Sequence, residues 1–129
     1  MNKKKAGTII PNGVVLETHE NATVVFLTEL GFDVNLVPRS NIKGVHTPDI
    51  KMGGLEWEMK APTGEGNQLM ENIIQRALKQ SQNIIIDLRH TKRHQTKCLR
   101  ELEKQFTNKK SIKRLKIITK SGKILDFDK

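Results

Sequence analysis

The chain has 129 residues, 36% of them hydrophobic and 29% charged, with a formal net charge of +9. That length suits one domain built on a single core and excludes a two-domain architecture, and its longest apolar runs, such as Val24-Val25-Phe26-Leu27, fall far short of the roughly 20 residues of a membrane span. Cys98 is the only cysteine, which excludes an internal disulfide and a multi-cysteine zinc site, and no cleavable signal segment is expected after Lys3-Lys4-Lys5.

In chain order, a basic and frayed tail is expected over residues 1–8, followed by one domain over 9–129. Glu17 to Leu30 predicts a helix: Ala22, Phe26 and Leu30 recur at four-residue spacing, Val24 and Leu27 widen the stripe, and Gly31 stands at the C-terminal cap. Phe32 to Val37 alternates as a strand and is stopped by Pro38. Strands over Pro48 to Met52 and Leu55 to Lys60 are joined by Gly53-Gly54, and Ala61 to Asn67 is a loop. A second helix over Gln68 to Gln80 buries Leu69/Met70, Ile73/Ile74 and Ala77/Leu78. Ile84 to Leu88 reads as a strand covered on both faces. A third helix over Thr96 to Phe106 and a closing hairpin, Arg114 to Thr119 with Lys123 to Phe127, complete the chain. The fold class is α/β: a single domain with a mixed central sheet flanked by helices.

Charge is unevenly placed. The first 88 residues carry a net charge of −1 and the last 41 a net charge of +10, so the excess positive charge sits in the last third. A polyanionic partner follows, and nucleic acid fits better than a membrane surface, because the candidate basic helix has Phe106 as its single aromatic. Arg89, Lys92, Arg93, Lys97 and Arg100 are the expected phosphate contacts. With no tyrosine and 4% aromatics, recognition should lean on backbone charge and not on stacking.

The central hairpin carries the chemistry. A two-residue turn at Gly53-Gly54 sets Met52 opposite Leu55, Lys51 opposite Glu56, Ile50 opposite Trp57 and Asp49 opposite Glu58. Alternation then gives one core face, with Ile50, Met52, Leu55, Trp57 and Met59, and one charged face, with Asp49, Lys51, Glu56, Glu58 and Lys60. Two carboxylates directly opposite repel, so Asp49 and Glu58 call for a cation, Mg²⁺ or Mn²⁺ before Zn²⁺. Lys60, two residues on and on the same face, is placed to act on a metal-bound water or a phosphate; the combination suits metal-assisted phosphodiester hydrolysis. A solvent-facing strand with Glu58 simply paired to a lysine is the competing reading.

Pro48-Asp49, eight intervening residues, then Glu58-Met59-Lys60 resembles the PD-(D/E)XK nuclease motif, and the order helix, three strands, helix, strand resembles that superfamily's αβββαβ, restriction-endonuclease-like core. The stretch from His19 to Leu88, especially Pro48 to Pro62 and Ala77 to Leu88, is similar to the C-terminal nuclease domains of CdiA-type contact-dependent growth inhibition toxins. The resemblance implies a metal-dependent endonuclease acting on tRNA, with DNA close behind, in the cytoplasm of a target cell, and restrained by an acidic immunity protein docked on the basic surface. It also implies a metal-binding glutamate on the first helix: Glu20, which shares a stripe with Val24 and Leu27, with Glu17 as the alternative. Gln80 continues the Ile73/Ala77 stripe of the second helix toward the same site. Two other readings stand beside this one: a non-catalytic nucleic-acid-binding domain, and a metal-independent ribonuclease using His19, His46, His90 or His94. The pair His90 and His94 is four residues apart but lacks a third zinc ligand.

Overall fold

In the computed structural model, which describes residues 5–129, the three consecutive isoleucines Ile84-Ile85-Ile86 lie in the interior of a seven-stranded mixed sheet. The elements run β1 (Ile9–Ile10), α1 (Thr18–Glu29), β2 (Val34–Leu36), β3 (Ile50–Met52), β4 (Leu55–Lys60), α2 (Leu69–Leu78), β5 (Asn83–Asp87), α3 (Gln95–Asn108), β6 (Arg114–Ile118) and β7 (Ile124–Asp128), and the strands lie side by side in sequence order. β1 with β2, β4 with β5 and β5 with β6 are parallel; the other neighbours are antiparallel.

The period-2 geometry of β5 divides the core into two layers. Ile84 and Ile86 pack with Met70 and Ile74 of α2, Leu102 of α3 and Leu115 and Ile117 of β6. Ile85, pointing the other way, packs with Val24 and Leu27 of α1 and with Ile50, Trp57 and Met59 of the hairpin. A strand covered on both faces needs apolar residues at consecutive positions, and β5 supplies them.

Two expectations are corrected here. The buried face of α1 is Thr23, Val24, Leu27 and Thr28, not Ala22, Phe26 and Leu30, and Leu30 is 36% exposed. The helix is turned by a polar contact: Thr23 Oγ1 donates a 2.7 Å hydrogen bond to the fully buried Asp87 carboxylate at the end of β5. The expectation of a frayed segment does not hold at Gly7 and Thr8, which are tied into the fold. Residues 1–4 lie outside the described residues, but Gly7 N–H donates to Thr28 O at 2.7 Å and Thr8 N–H to Asp33 Oδ1 at 2.9 Å, and the two-residue strand β1 follows. Gly7 passes so close to the Phe32 carbonyl that any side chain there would run into it.

Candidate active site

The hairpin forms as its sequence predicts. Gly53 and Gly54 both have positive φ, 61° and 76°, the geometry a two-residue primed turn demands. The register pairs Ile50 with Trp57, Lys51 with Glu56 and Met52 with Leu55. Just before β3, Asp49 crosses toward its neighbour: its N–H donates to Trp57 O at 3.0 Å, and its Oδ2 accepts from Met59 N–H at 2.9 Å. A strand's backbone donor is thus satisfied by a side chain, which fixes that carboxylate beside Glu58.

Trp57 and Met59 face the α1 layer, so Glu58 and Lys60 point to the other side of the sheet, where α2 packs against β4. Glu58 is therefore 5% exposed, not solvent-facing. Its Oε2 lies 3.4 Å from Lys60 Nζ, while its Oε1 is buried without a hydrogen-bond partner among the described residues. Burial and then the Asp49 charge push the Glu58 carboxyl up to about 8, with Lys60 opposing. Glu20, half-buried in the first turn of α1, is raised for the same reasons: burial, then Asp49 and Glu17, against an opposing pull from Arg39.

The surrounding cleft collects the expected residues. A cavity of about 420 Å³ is bordered by Glu20, Asp49, Glu58 and Lys60, together with Glu17, His19 and Arg39. An adjoining cavity of about 220 Å³ shares Asp49, Glu58, Lys60 and Arg39 and adds Gln80 and His46. Gln80 thus reaches the site from the turn after α2. Glu17 is exposed at the N-cap of α1 and Glu20 lies deeper, nearer the Asp49 charge.

The chemistry of the donor set fits a divalent cation. Two carboxyl groups share the wall, and one of them, Glu58, has an orphaned buried oxygen and a pKa raised by burial and then by the Asp49 charge. The ready ligand set is this pair: among the described residues no three His, Cys, Asp or Glu side chains are gathered closely enough to hold a metal. Glu20 shares the cavity without closing on the pair, and His90 and His94 do not form a zinc site. His94 instead caps α3, its Nδ1 accepting from Thr96 N–H, and His90 stacks on His19 with ring centroids 4.1 Å apart.

The basic set divides. Lys92, Lys97 and Arg100 are exposed. Arg93, expected to contact phosphate, is instead buried: its Nε and a terminal nitrogen each donate to Glu101 at 2.8 Å, and the other terminal nitrogen donates to Glu65 O and Asn67 Oδ1. Arg89 is likewise held, donating to both Asp87 oxygens and to Ala22 O with its guanidinium 4.6 Å over the Phe26 ring. Both arginines find fixed acceptors that sequence spacing did not reveal. Arg39, which borders both cavities, was not singled out by the sequence, although it is the only arginine before Arg76 and stands ten residues ahead of Asp49.

A family model described as the contact-dependent growth inhibition CdiA C-terminal domain matches residues 46–124. Among solved structures, a chain of the CdiA-CT/CdiI toxin and immunity complex from Burkholderia pseudomallei superposes with a TM-score of 0.71 at 17% sequence identity, covering 95% of this chain and 100% of that one. No curated protein matches this sequence.

Proposed function

Because the chain belongs to the contact-dependent growth inhibition CdiA C-terminal domain family, we propose that its toxic activity is metal-dependent hydrolysis of phosphodiester bonds in tRNA or DNA, by a site of PD-(D/E)XK type. One observation carries the reading: Glu58, nearly buried and with an unpartnered oxygen, sits between Asp49 and Lys60 on the wall of an open polar cleft. Asp49 and Glu58 would hold Mg²⁺ or Mn²⁺, with Glu20 the third carboxylate in reach of the cleft. The cation would supply an activated water and stabilise charge on phosphorus. Lys60 Nζ, 3.4 Å from Glu58 Oε2, is suited to orienting the attacking water or neutralising the phosphate. Met59 N–H orients the Asp49 carboxylate, and Gln80 offers a neutral hydrogen-bonding amide on the wall of the adjoining cavity. The exposed Lys92, Lys97 and Arg100 supply sequence-independent attraction for the nucleic acid.

We propose as well a cognate acidic immunity protein, supported by the fold shared with a chain of a toxin and immunity complex and by the +10 charge of the last 41 residues. Expression in bacteria without any partner tests it: growth arrest relieved by a co-expressed acidic inhibitor is expected, and healthy growth with intact tRNA and DNA overturns both proposals.

The direct test of activity is incubation of the purified chain with tRNA, rRNA and plasmid DNA in Mg²⁺ or Mn²⁺ against EDTA. Cleavage abolished by EDTA is expected. The His19–His90 stack, with His19 on the wall of the same cleft, favours a second reading, a metal-independent ribonuclease. Cleavage of RNA that survives EDTA but fails in His19→Ala would select it, and binding without cleavage would select a non-catalytic nucleic-acid-binding domain.

A further inference from the structure

Three cavities meet at the hairpin, and two side chains border all three: Asp49 and Arg39. Arg39 follows Pro38 in the segment between β2 and β3. It is exposed, and among the described residues its guanidinium forms no ion pair. The cleft around it presents four carboxyl groups, Glu17, Glu20, Asp49 and Glu58, against two basic side chains, Lys60 and Arg39. Lys60 already lies 3.4 Å from Glu58. A phosphodiester entering this cleft therefore meets a wall rich in carboxyl groups, and the cation left uncommitted at the meeting point is Arg39. The two arginines that charge alone would nominate, Arg89 and Arg93, are bound to Asp87 and Glu101.

The geometry points to Arg39 as a substrate-binding residue that grips non-bridging oxygens of the phosphodiester where the three cavities join. Its planar fork matches a phosphate bidentately. The inference rests on the nuclease reading above and adds to it a residue from the segment between β2 and β3 that borders the same cavities as the motif. The substrate class is the phosphodiester of a polynucleotide, as in the nuclease reading.

Two measurements test it: steady-state cleavage of labelled RNA and DNA with Mn²⁺, and fluorescence-anisotropy binding of the same substrates in a Glu58→Gln background at several salt concentrations. Arg76, exposed on α2 and bordering none of the three cavities, is the control for loss of one positive charge. Arg39→Ala should lower kcat/KM about 30-fold, the scale of one lost charge-assisted contact, and should reduce the salt slope of binding by about 0.7 to 0.9. Arg39→Lys should restore the slope and only part of kcat/KM, because the fork is gone. Arg76→Ala should change both by less than about threefold, the range of a surface charge. Equal behaviour of Arg39→Ala and Arg76→Ala in both measurements overturns the inference while leaving the nuclease reading intact. A wild-type chain that cleaves nothing, yet binds with an Arg39-dependent slope, overturns the nuclease reading and upholds the phosphate grip.

Discussion

Two buried carboxylates at the C-terminal ends of adjacent parallel strands have opposite fates. Asp87, at the end of β5, is fully buried and completely satisfied: Thr23 Oγ1, the Arg89 backbone N–H and the Arg89 guanidinium all donate to it. Burial by itself would raise its pKa, but the hydrogen bonds from Arg89 and Thr23 outweigh that and hold it below the usual carboxylate range. Glu58, near the end of β4, is almost as buried but has a single lysine, 3.4 Å away, and an oxygen with no partner among the described residues, and burial and then the Asp49 charge push its carboxyl up to about 8. The same residue chemistry at the same depth thus serves as a structural clasp in one case and, in the other, as a site kept short of positive charge.

The contrast breaks most sharply at the clasp. Asp87→Ala should cost about 3–5 kcal/mol of stability, because it strands the Arg89 guanidinium and the Thr23 hydroxyl; urea unfolding measures it. In the parent protein, the depressed Asp87 pKa contributes stability that is present at neutral pH and lost as acid protonates the folded carboxylate.

At Glu58 the expected signs reverse. A folded-state pKa above the unfolded value means that the native state holds the proton more tightly, so this group's contribution to stability falls as pH rises from about 4.5 to about 8. Glu58→Gln should flatten that slope and raise stability near pH 8 by about 1–3 kcal/mol in EDTA, while lowering cleavage at least about 100-fold. Unfolding curves across pH and a metal-dependent cleavage assay read both effects; loss of activity accompanied by loss of stability at pH 8 would contradict the assignment.

Cation addition sharpens the same comparison more gently. Mn²⁺ in about tenfold excess over its dissociation constant should stabilise the wild type by about 1.4 kcal/mol and leave Glu58→Gln nearly unmoved. Asp87→Ala should still respond, because that residue faces α1 and not the cleft. The smallest effect per residue is expected on the basic surface, where each of Lys92→Glu, Lys97→Glu and Arg100→Glu should reduce the salt slope of nucleic-acid binding by about 0.7 to 0.9.

What the sequence discloses tracks how local the determining physics is. The hairpin register follows from two glycines and strict alternation, both within a dozen residues, and so Asp49, Glu58 and Lys60 are readable in place. The rotation of α1 is set by a hydrogen bond between Thr23 and Asp87, 64 residues apart, which makes buried threonines look like surface ones. β1 is two residues long and is held by backbone bonds that carry no side-chain pattern. Arg93 reads as free cationic surface because its partner, Glu101, lies two turns into the following helix. In each failure a polar group is neutralised at a distance, which residue type alone does not show.

The Thr23–Asp87 contact has a mechanical meaning as well. Glu20 precedes Thr23 by three residues, less than one helical turn, or roughly 4.5 Å of rise, so the bolt that fastens α1 to the sheet lies almost directly behind the carboxylate that α1 brings to the cleft. An exposed position such as Glu29 can change without shifting Glu20, whereas slack at the bolt transmits straight to the spacing between Glu20 and the Asp49–Glu58 pair. Tolerance to alteration along α1 should therefore be graded: generous near Glu29, tight at Thr23, with activity lost at the tight end before the domain itself unfolds.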